Sequence, residues 1–338
     1  MQLRLLVVFL LGSLCFVSCK TDKADVKKSS YIPVTEVDNT PLKIPAVNAD
    51  SIYHFIEKQV SFGPRVPGSE GHKQCKNWIV SKLSSYGASV STQDFNAVLY
   101  SGEELPATNI IAQINPSHER RVLLSAHWDT RRVADFDPDP AKKNDPILGA
   151  DDGGSGVGVI LEIVRLIQAN DINMGVDVVL FDAEDQGKSG GGPSAINTWC
   201  LGSQYWSRNL MPKNYNPMYG ILLDMVGAKN PQFGQDEYSL KYAGDHVKKI
   251  WSLGQAMGHS KMFVNQKTNG ITDDHVFVNT IAKIPMLDIL NQPLGSKTGF
   301  QKCWHTHCDD MSSIDKKTIK AVGQVLVAAL YKESKGKL

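Results

Sequence analysis

The stretch Val176-Asp177-Val178-Val179-Leu180-Phe181-Asp182-Ala183-Glu184-Asp185 decides the fold. Its first half is apolar and β-branched, which is typical of a strand buried on both faces of a parallel sheet. Its second half places Glu184 and Asp185 at the carboxyl end of that strand, where open α/β sheets build their sites. Adjacent acids repel, so the pair is costly unless a cation holds one and the other has a separate task. Taken alone, the pair would more simply be an acidic turn.

Strands and helices alternate on either side of this stretch, and Asp50 or Ser51 is the expected N-cap of the first helix. The alternation predicts α/β architecture: a single domain, residues 46–338, with a mostly parallel twisted central sheet flanked by helices. The expected strands are 89–100, 107–114, 121–126, 176–180, 219–223 and 284–290, and the expected helices are 48–60, 70–86, 157–167, 245–257 and 315–331, the last capped by Asp315.

The charge balance gives no indication of a nucleic-acid or anionic-membrane partner. The 338 residues include 36 basic and 35 acidic side chains, for a formal net charge of +1. A protein that binds nucleic acid through its backbone phosphates carries a basic excess, so no nucleic-acid partner is expected.

The first residues are predicted to be a targeting segment. A short basic start (Gln2-Leu3-Arg4) precedes an apolar run from Leu5 to Val17 that is too short for a comfortable membrane span, and the run closes on Ser18-Cys19. This pattern resembles a bacterial lipobox. We expect a lipoprotein signal peptide over 1–18, acylated Cys19 as the lipid anchor in the bilayer, and a polar tether over 19–45. The protein would then be an exported bacterial lipoprotein, membrane-anchored on the periplasmic side. The alternative is an ordinary secretory signal cleaved near Ser18, with Cys19 incidental.

Four cysteines remain in the domain, namely Cys75, Cys200, Cys303 and Cys308. An exported protein meets an oxidising compartment, where these cysteines can pair. Their spacing is not a metal-binding pattern, and one disulfide, two or none fit it equally well.

Polar side chains follow the predicted strands and the Gly-rich turn at positions that suit a metal site. Histidine, aspartate and glutamate in this mixture match zinc, which takes nitrogen and oxygen ligands at water-bearing catalytic sites. Each residue is a weak signal alone, whereas chance explains the whole set poorly. The set is His127, Asp129, Asp152, Glu184, Asp185, Asp224 and His305.

With these residues in place, the region from about residue 50 to the end resembles the zinc aminopeptidase family, whose fold is zinc aminopeptidase-like (phosphorylase/hydrolase-like). The segments that carry the resemblance are Gly63-Pro64-Arg65-Val66-Pro67-Gly68, His127-Trp128-Asp129, Gly149-Ala150-Asp151-Asp152, Glu184-Asp185, Leu223-Asp224 and His305. Within that family, three further segments are similar to the glutaminyl-peptide cyclotransferases. They are the run from Leu223 to Phe233, Thr272-Asp273-Asp274-His275 and Trp304-His305-Thr306.

The resemblance implies one zinc per chain held by Asp152, Asp185 and His305, with Glu184 as the proton shuttle. It further implies a hydrogen-bonded acidic pair, Asp224 and Asp273, and a substrate pocket walled by Trp304 and Trp199. The implied reaction converts the N-terminal glutamine of peptides and proteins to pyroglutamate with release of ammonia. A glutamate beside a ligand, but not itself a ligand, suits the proton transfers that this ring closure needs.

Two alternatives stay open at this point. A two-zinc aminopeptidase would use His127 and Asp224 for a second metal, and Asp129 would orient His127. From another class, a catalytically dead binding lipoprotein is disfavoured by the intact Glu184 and the complete ligand set.

Some positions depart from the cyclotransferase pattern or have a simpler interpretation. Asp288 stands where animal-type cyclases have histidine, and the segment His305-Thr306-His307-Cys308-Asp309-Asp310 carries one extra residue. Asp151 is interpreted as a turn residue, His72 and His307 as surface or packing residues, Trp128 as core or pocket rim, and Arg131-Arg132 as solvated loop charges.

Overall fold

A six-stranded mixed sheet organises the protein. The computed structural model describes residues 42–190 and 192–338. The strands lie in the order β1-β2-β4-β3-β5-β8, in which β3, β4, β5 and β8 run parallel while β2 pairs antiparallel with β1 and with β4. Their bounds are β1 Ser89–Val98, β2 Glu104–Ile114, β3 Arg121–His127, β4 Gly175–Phe181, β5 Tyr219–Asp224 and β8 Met286–Leu290. The predicted mostly parallel sheet in an α/β domain is confirmed.

Seven helices flank the sheet within the described residues. They are α1 Ala49–Val60, α2 Glu70–Ser85, α3 Ser155–Ala169, α4 Leu201–Arg208, α5 Glu237–Ala256, α6 Asp274–Phe277 and α7 Lys316–Ser334. The cap of α7 is Asp315, as predicted. The N-cap predicted for α1 is wrong. The cap is Asn48, two residues before Asp50, and its side chain accepts the backbone N–H groups of Asp50 and Ser51.

The centre of the sheet is covered on both faces, which explains its continuous apolar runs. Every residue of β3, β4 and β5 is buried. Helix α3 packs against α1, α7 and the central strands, and nearly all of its residues are buried. Trp128 has no exposed surface and belongs to this core, which decides between the two positions considered for it.

The structure adds a second sheet that the sequence pattern did not predict. Strands β6 (Phe233–Asp236) and β7 (Phe263–Thr268) pair with each other, and β7 is mostly exposed and polar, so it carries no hydrophobic alternation. Helix α5 begins at residue 237 rather than at the predicted 245. Its backbone is non-helical at Ala243, and this kink interrupts the periodicity from which the helix start was predicted.

The cysteines resolve into one disulfide and two free thiols. Cys303 and Cys308 are bonded, whereas Cys75 and Cys200 are free and buried. The predicted signal peptide, the anchor Cys19 and nearly all of the tether lie outside the described residues. Within the part of the chain that the structure describes, no helix is both long and apolar enough to cross a bilayer.

Candidate active site

The site lies at the carboxyl edge of the sheet because neighbouring parallel strands end there together. β4, β3 and β5 are adjacent. β3 ends on His127 and β5 on Asp224, while β4 leads into Glu184 and Asp185. Side chains that follow three strands far apart in sequence are therefore brought to one place by the strand order.

Asp152, Asp185 and His305 form a buried group suited to a metal ion. One ligand atom from each lies within 4.8 Å of the others. Nε2 of His305 is 3.0 Å from Oδ1 of Asp185 and 3.9 Å from Oδ2 of Asp152. Oδ2 of Asp152 and Oδ2 of Asp185 are both buried and have no hydrogen-bond partner among the described residues. Burying a carboxylate oxygen without a partner lowers the stability of the folded state. A nitrogen ligand with two carboxylates matches zinc, so the residues fit this ion with a fourth position open.

A second group shares Asp152 with the first. Nε2 of His127 lies 3.0 Å from Oδ1 of Asp152 and 3.1 Å from Oδ1 of Asp224. Burial raises the pKa of the Asp224 carboxyl to about 8, although His127 beside it acts in the opposite direction. The geometry therefore accommodates one ion or two, and the number is not established by these side chains.

Asp129 supports the loop that carries Glu184 and Asp185. Its carboxylate accepts the backbone N–H of Glu184 at 3.0 Å and of Asp185 at 3.3 Å, and the Gln186 amide at 2.9 Å. Its nearest approach to Nδ1 of His127 is 3.6 Å, beyond a good hydrogen bond. Asp129, which was predicted to support His127, therefore mainly stabilises the turn after β4.

Asp309 is a supporting residue that the sequence analysis missed. Its two carboxylate oxygens accept the backbone N–H groups of Asp151 and Asp152 at 2.9 and 3.0 Å. Asp151 in turn accepts the N–H of Gly227 at 2.7 Å, which agrees with its interpretation as a turn residue. These bonds fix the loop that presents Asp152. The spacing after His305, which carries one extra residue, hid the position of Asp309.

A buried arginine and an aspartate from the long loop after β3 hold the histidine ligand. Oδ1 of Asp135 is 3.1 Å from Nδ1 of His305, so Nε2 faces the two aspartates. Arg131 binds both oxygens of Asp135 at 2.8 Å and donates to the carbonyl of Asp185 at 2.8 Å. A carboxylate behind a ligand histidine fixes the orientation of the ring. The prediction that Arg131 is a solvated charge is wrong: it is 2% exposed, because the loop folds back over the site.

The disulfide closes a small ring around the same histidine. Cys303 and Cys308 enclose His305, whose backbone has a φ of 56°. A positive φ is unfavourable for a residue with a side chain, so it needs support from its surroundings. His307 within the ring bonds Asp137 through its backbone N–H at 2.9 Å and its Nδ1 at 2.8 Å. The extra residue in this segment is thus accommodated by a cross-linked turn.

Glu184 lies beside the metal group without belonging to it. Burial raises the pKa of its carboxyl well above the usual value; His127 opposes this, and Asp273 and Asp185 add to it. The thiol of Cys200 lies 3.2 Å from Oε1 of Glu184 and is its hydrogen-bond donor. Sequence reasoning gave Cys200 no function, because the residue is buried and adjacent to no motif.

The predicted acidic pair has a different arrangement. No hydrogen bond joins Asp224 to Asp273 among the described side chains. Asp273 instead belongs to a buried group with His275 and Asp288, in which one ligand atom from each residue lies within 4.8 Å of the others. Behind them, His275 bonds Asp236 at 2.9 Å and lies 3.8 Å from Asp288. An aspartate at position 288, where histidine was expected, therefore extends the acidic cluster.

A pocket of about 290 Å³ opens above the metal group. Trp199, Phe300 and Trp304 contribute its aromatic wall, and Trp304 stacks on the His305 ring with centroids 3.7 Å apart. The acidic floor consists of Asp152, Glu184, Asp185, Asp224 and Asp273. Both predicted pocket tryptophans are therefore in place, and every predicted site residue in the domain converges on this cavity or its support.

Comparison with known proteins places these residues in a family. The model for peptidase family M28 matches residues 109–330. A glutaminyl-peptide cyclotransferase of Drosophila melanogaster is 24% identical over 323 residues, covering 87% of this chain and 84% of the relative. A Bacteroides thetaiotaomicron glutaminyl cyclase solved with N-acetylhistamine is 44% identical with a TM-score of 0.83, covering 86% of this chain and 99% of that one. A Zn-dependent exopeptidase of Parabacteroides distasonis is 45% identical with a TM-score of 0.83 and the same coverage of 86% and 99%. The resemblance expected from the sequence is confirmed.

Proposed function

The chain belongs to peptidase family M28 and is an enzyme of that family, and we propose that it is a glutaminyl-peptide cyclotransferase. It would convert the N-terminal glutamine of peptides and proteins to pyroglutamate and release ammonia. The observation that carries the proposal is Glu184, a largely buried carboxyl group that lies beside, and outside, a three-residue metal group at the base of a small aromatic pocket.

The pocket suits a reaction in which one side chain folds back on its own amine. Ring closure requires the α-nitrogen and the γ-carbon of glutamine to be held close together, and a snug pocket supplies that proximity. The volume of about 290 Å³ and the walls of Trp199, Phe300 and Trp304 restrict the side chain to compact conformations. With the glutamine side chain in place, these rings would limit the access of water and so disfavour simple hydrolysis of the amide.

Asp152, Asp185 and His305 would hold a zinc ion. When bound, zinc supplies Lewis-acid polarisation of an amide carbonyl. The chain's own residues then account for the remaining requirements. Asp135 keeps Nε2 of His305 turned towards the group through the 3.1 Å contact with Nδ1. Asp129 and Asp309 fix the two backbone segments that carry the aspartates.

Glu184 performs the proton transfers. Its carboxylate takes a proton from the α-amine as the bond between the α-nitrogen and the γ-carbon forms. It returns that proton to the side-chain nitrogen as the bond from the γ-carbon to that nitrogen breaks, so ammonia leaves and the carboxylate is restored. Burial raises the pKa of Glu184, which brings the group closer to the range in which one residue can accept and donate a proton. We assign Asp224 and Asp273, which also line the pocket, to hold the α-amine.

A second candidate function is a two-zinc aminopeptidase. It is favoured by the His127, Asp152 and Asp224 group, whose ligand atoms lie within 4.8 Å of one another, and by the similarity to an exopeptidase. In that case Glu184 would activate water, and the amino acid released would leave the rest of the peptide intact.

Product analysis separates the two functions. The purified protein is incubated with otherwise identical peptides that begin with glutamine or with leucine, and products are identified by mass spectrometry and an ammonia assay. Stoichiometric ammonia and a pyroglutamyl peptide from the first, with the second unchanged, support the cyclotransferase. Free leucine and a shortened peptide would establish the aminopeptidase.

The same proposal extends to location. We propose that the enzyme is tethered to the periplasmic side of a bacterial membrane through acylated Cys19, and acts there on exported chains. The support is the apolar run that closes on Cys19. Cys19→Ser should leave the protein without incorporated fatty acid and in the soluble fraction, whereas continued labelling would contradict the anchor.

A further inference from the structure

A second groove adjoins the pocket and is not used by the glutamine itself. It has a volume of about 530 Å³ and is formed largely by residues 293–302, the loop between β8 and the disulfide ring. Phe136, Phe300 and Trp304 line both cavities, so the groove begins where the aromatic wall of the pocket ends. A peptide whose first residue occupies the pocket can therefore continue past these rings into the groove.

The lining of the groove combines apolar side chains with positively charged ones. Phe136 and Leu294 are two of its lining residues and are among the large exposed apolar side chains of the molecule. Lys297 and Lys302 also line it and are exposed, and no acidic residue takes part in its lining. This is the opposite charge from the neighbouring pocket, whose floor is acidic. The pocket therefore favours a positively charged group, whereas the groove favours a negatively charged one.

A buried amide in the wall lacks a partner. Oε1 of Gln301 accepts the backbone N–H of Cys303 at 2.6 Å, which fixes the orientation of the amide group. Its Nε2 is left buried with no hydrogen-bond partner in the described structure, and Gln301 is 7% exposed. An unpaired buried donor is unfavourable. A carbonyl oxygen of a peptide chain in the groove would be a suitable acceptor after a small movement of the side chain.

We propose that this groove binds the residues that follow the N-terminal glutamine, and that it selects substrates with an apolar second residue followed by acidic residues. The inference rests on the proposed function, since it assumes that glutamine occupies the adjoining pocket. The apolar side chain would pack on Phe136 and Leu294, and the following carboxylates would lie near Lys297 and Lys302. Charges arranged in this way act on association and specificity more than on the chemical step.

The test uses C-terminally amidated peptides, so that only side chains carry charge. Gln-Phe-Glu-Glu, Gln-Phe-Ser-Ser and Gln-Phe-Lys-Lys are compared with glutamine joined to a neutral fluorophore as its α-amide. For every protein, kcat/KM with each peptide is divided by kcat/KM with the small substrate. The charge-reversal variant is Lys297→Glu/Lys302→Glu. The matched control is Lys317→Glu/Lys320→Glu, which makes the same charge change at exposed positions of α7 that line neither cavity.

The wild type and the α7 control should favour the glutamate peptide over the lysine peptide by about 10-fold at low salt, with the preference shrinking as salt rises. The groove variant should reverse the order. If the ratio of kcat/KM for the glutamate peptide to kcat/KM for the lysine peptide is equal in the wild type and the groove variant, and the small substrate is still turned over, the proposed role of the groove is wrong. The proposed cyclotransferase activity is not affected by that result. No turnover of any glutamine substrate would overturn the proposed function and this inference together.

Discussion

The Sγ atom of Cys200 lies 3.2 Å from Oε1 of Glu184, so a buried thiol donates to the carboxylate assigned to proton transfer. The bond restrains the Glu184 side chain. Removing one modest hydrogen bond changes a free energy by about 0.5–1.5 kcal/mol. Cys200→Ala should therefore lower kcat by about 2- to 10-fold with unchanged metal content.

Cys200→Ser is the matched control, because a hydroxyl donor replaces the thiol. It should recover most of the lost kcat. If the serine and alanine variants were equally slow, or if alanine were as fast as the wild type, the thiol would have no role in positioning Glu184. Steady-state kinetics with a glutamine peptide and metal analysis of both variants decide the point.

Glu184→Gln tests the proton shuttle itself. The amide keeps the size of the side chain but cannot accept and return a proton, so kcat should fall by about 10²- to 10⁴-fold. Zinc content and thermal stability should stay close to those of the wild type, since Glu184 is not among the three proposed ligands. Retained turnover would remove Glu184 from its assigned role, and loss of the metal would make it a ligand.

Asp135→Asn tests the carboxylate behind the histidine ligand. A neutral amide holds the His305 ring less firmly, and such changes behind a ligand typically weaken metal affinity about 10- to 100-fold. Competition with a chromophoric chelator measures the affinity directly.

Asp137→Asn is the comparison, because Asp137 contacts the same segment through His307 rather than through the ligand. It should change metal affinity much less. An equal loss of metal affinity in the two variants would mean that the affinity depends on anchoring of the loop in general and not on the orientation of His305.

These supporting residues show where the sequence was informative and where it was not. Hydrophobic runs identify the strands, and sites in such sheets lie at the carboxyl ends of the strands, so Asp185, Asp224 and His127 were identified from the residues that precede them. The acidic partners Asp135 and Asp309 lie in loops, where no periodicity marks a residue as inward-facing. Arg131 was misjudged for the same reason, since a loop sequence does not reveal that it folds back over a site.

The acidic cluster illustrates a second limit. Whether Asp273 pairs with Asp224 or with Asp288 depends on side-chain positions across two strands and a short helix, which no local pattern encodes. The second sheet, formed by β6 and β7, shows a similar limit: β7 is short, mostly exposed and polar, so it has neither the alternation nor the apolar run that identifies a strand.

Reduction of the Cys303–Cys308 disulfide should loosen the histidine ligand. The bond joins residues 5 apart and encloses His305, and closing so short a loop contributes about 2 kcal/mol in the chain-entropy model. Cys303→Ser/Cys308→Ser should lower both the melting temperature and the metal affinity.

Cys75→Ser is the control, since Cys75 is a free buried thiol remote from the ring. It should leave metal affinity unchanged. A double-serine variant that binds metal as tightly as the wild type would show that the turn holds His305 without its cross-link. Parallel chelator titrations with and without reductant provide the comparison.

We propose that Asp152, Asp185 and His305 hold one catalytic zinc and that this ion suffices for cyclisation. Metal-free enzyme is titrated with zinc, and the initial rate of ammonia release from a glutamine peptide is plotted against equivalents per chain. We expect a linear rise that saturates at one equivalent of zinc, with no leucine released from a leucine peptide at any point. Activity that appears only with the second equivalent, as peptide hydrolysis, would contradict it.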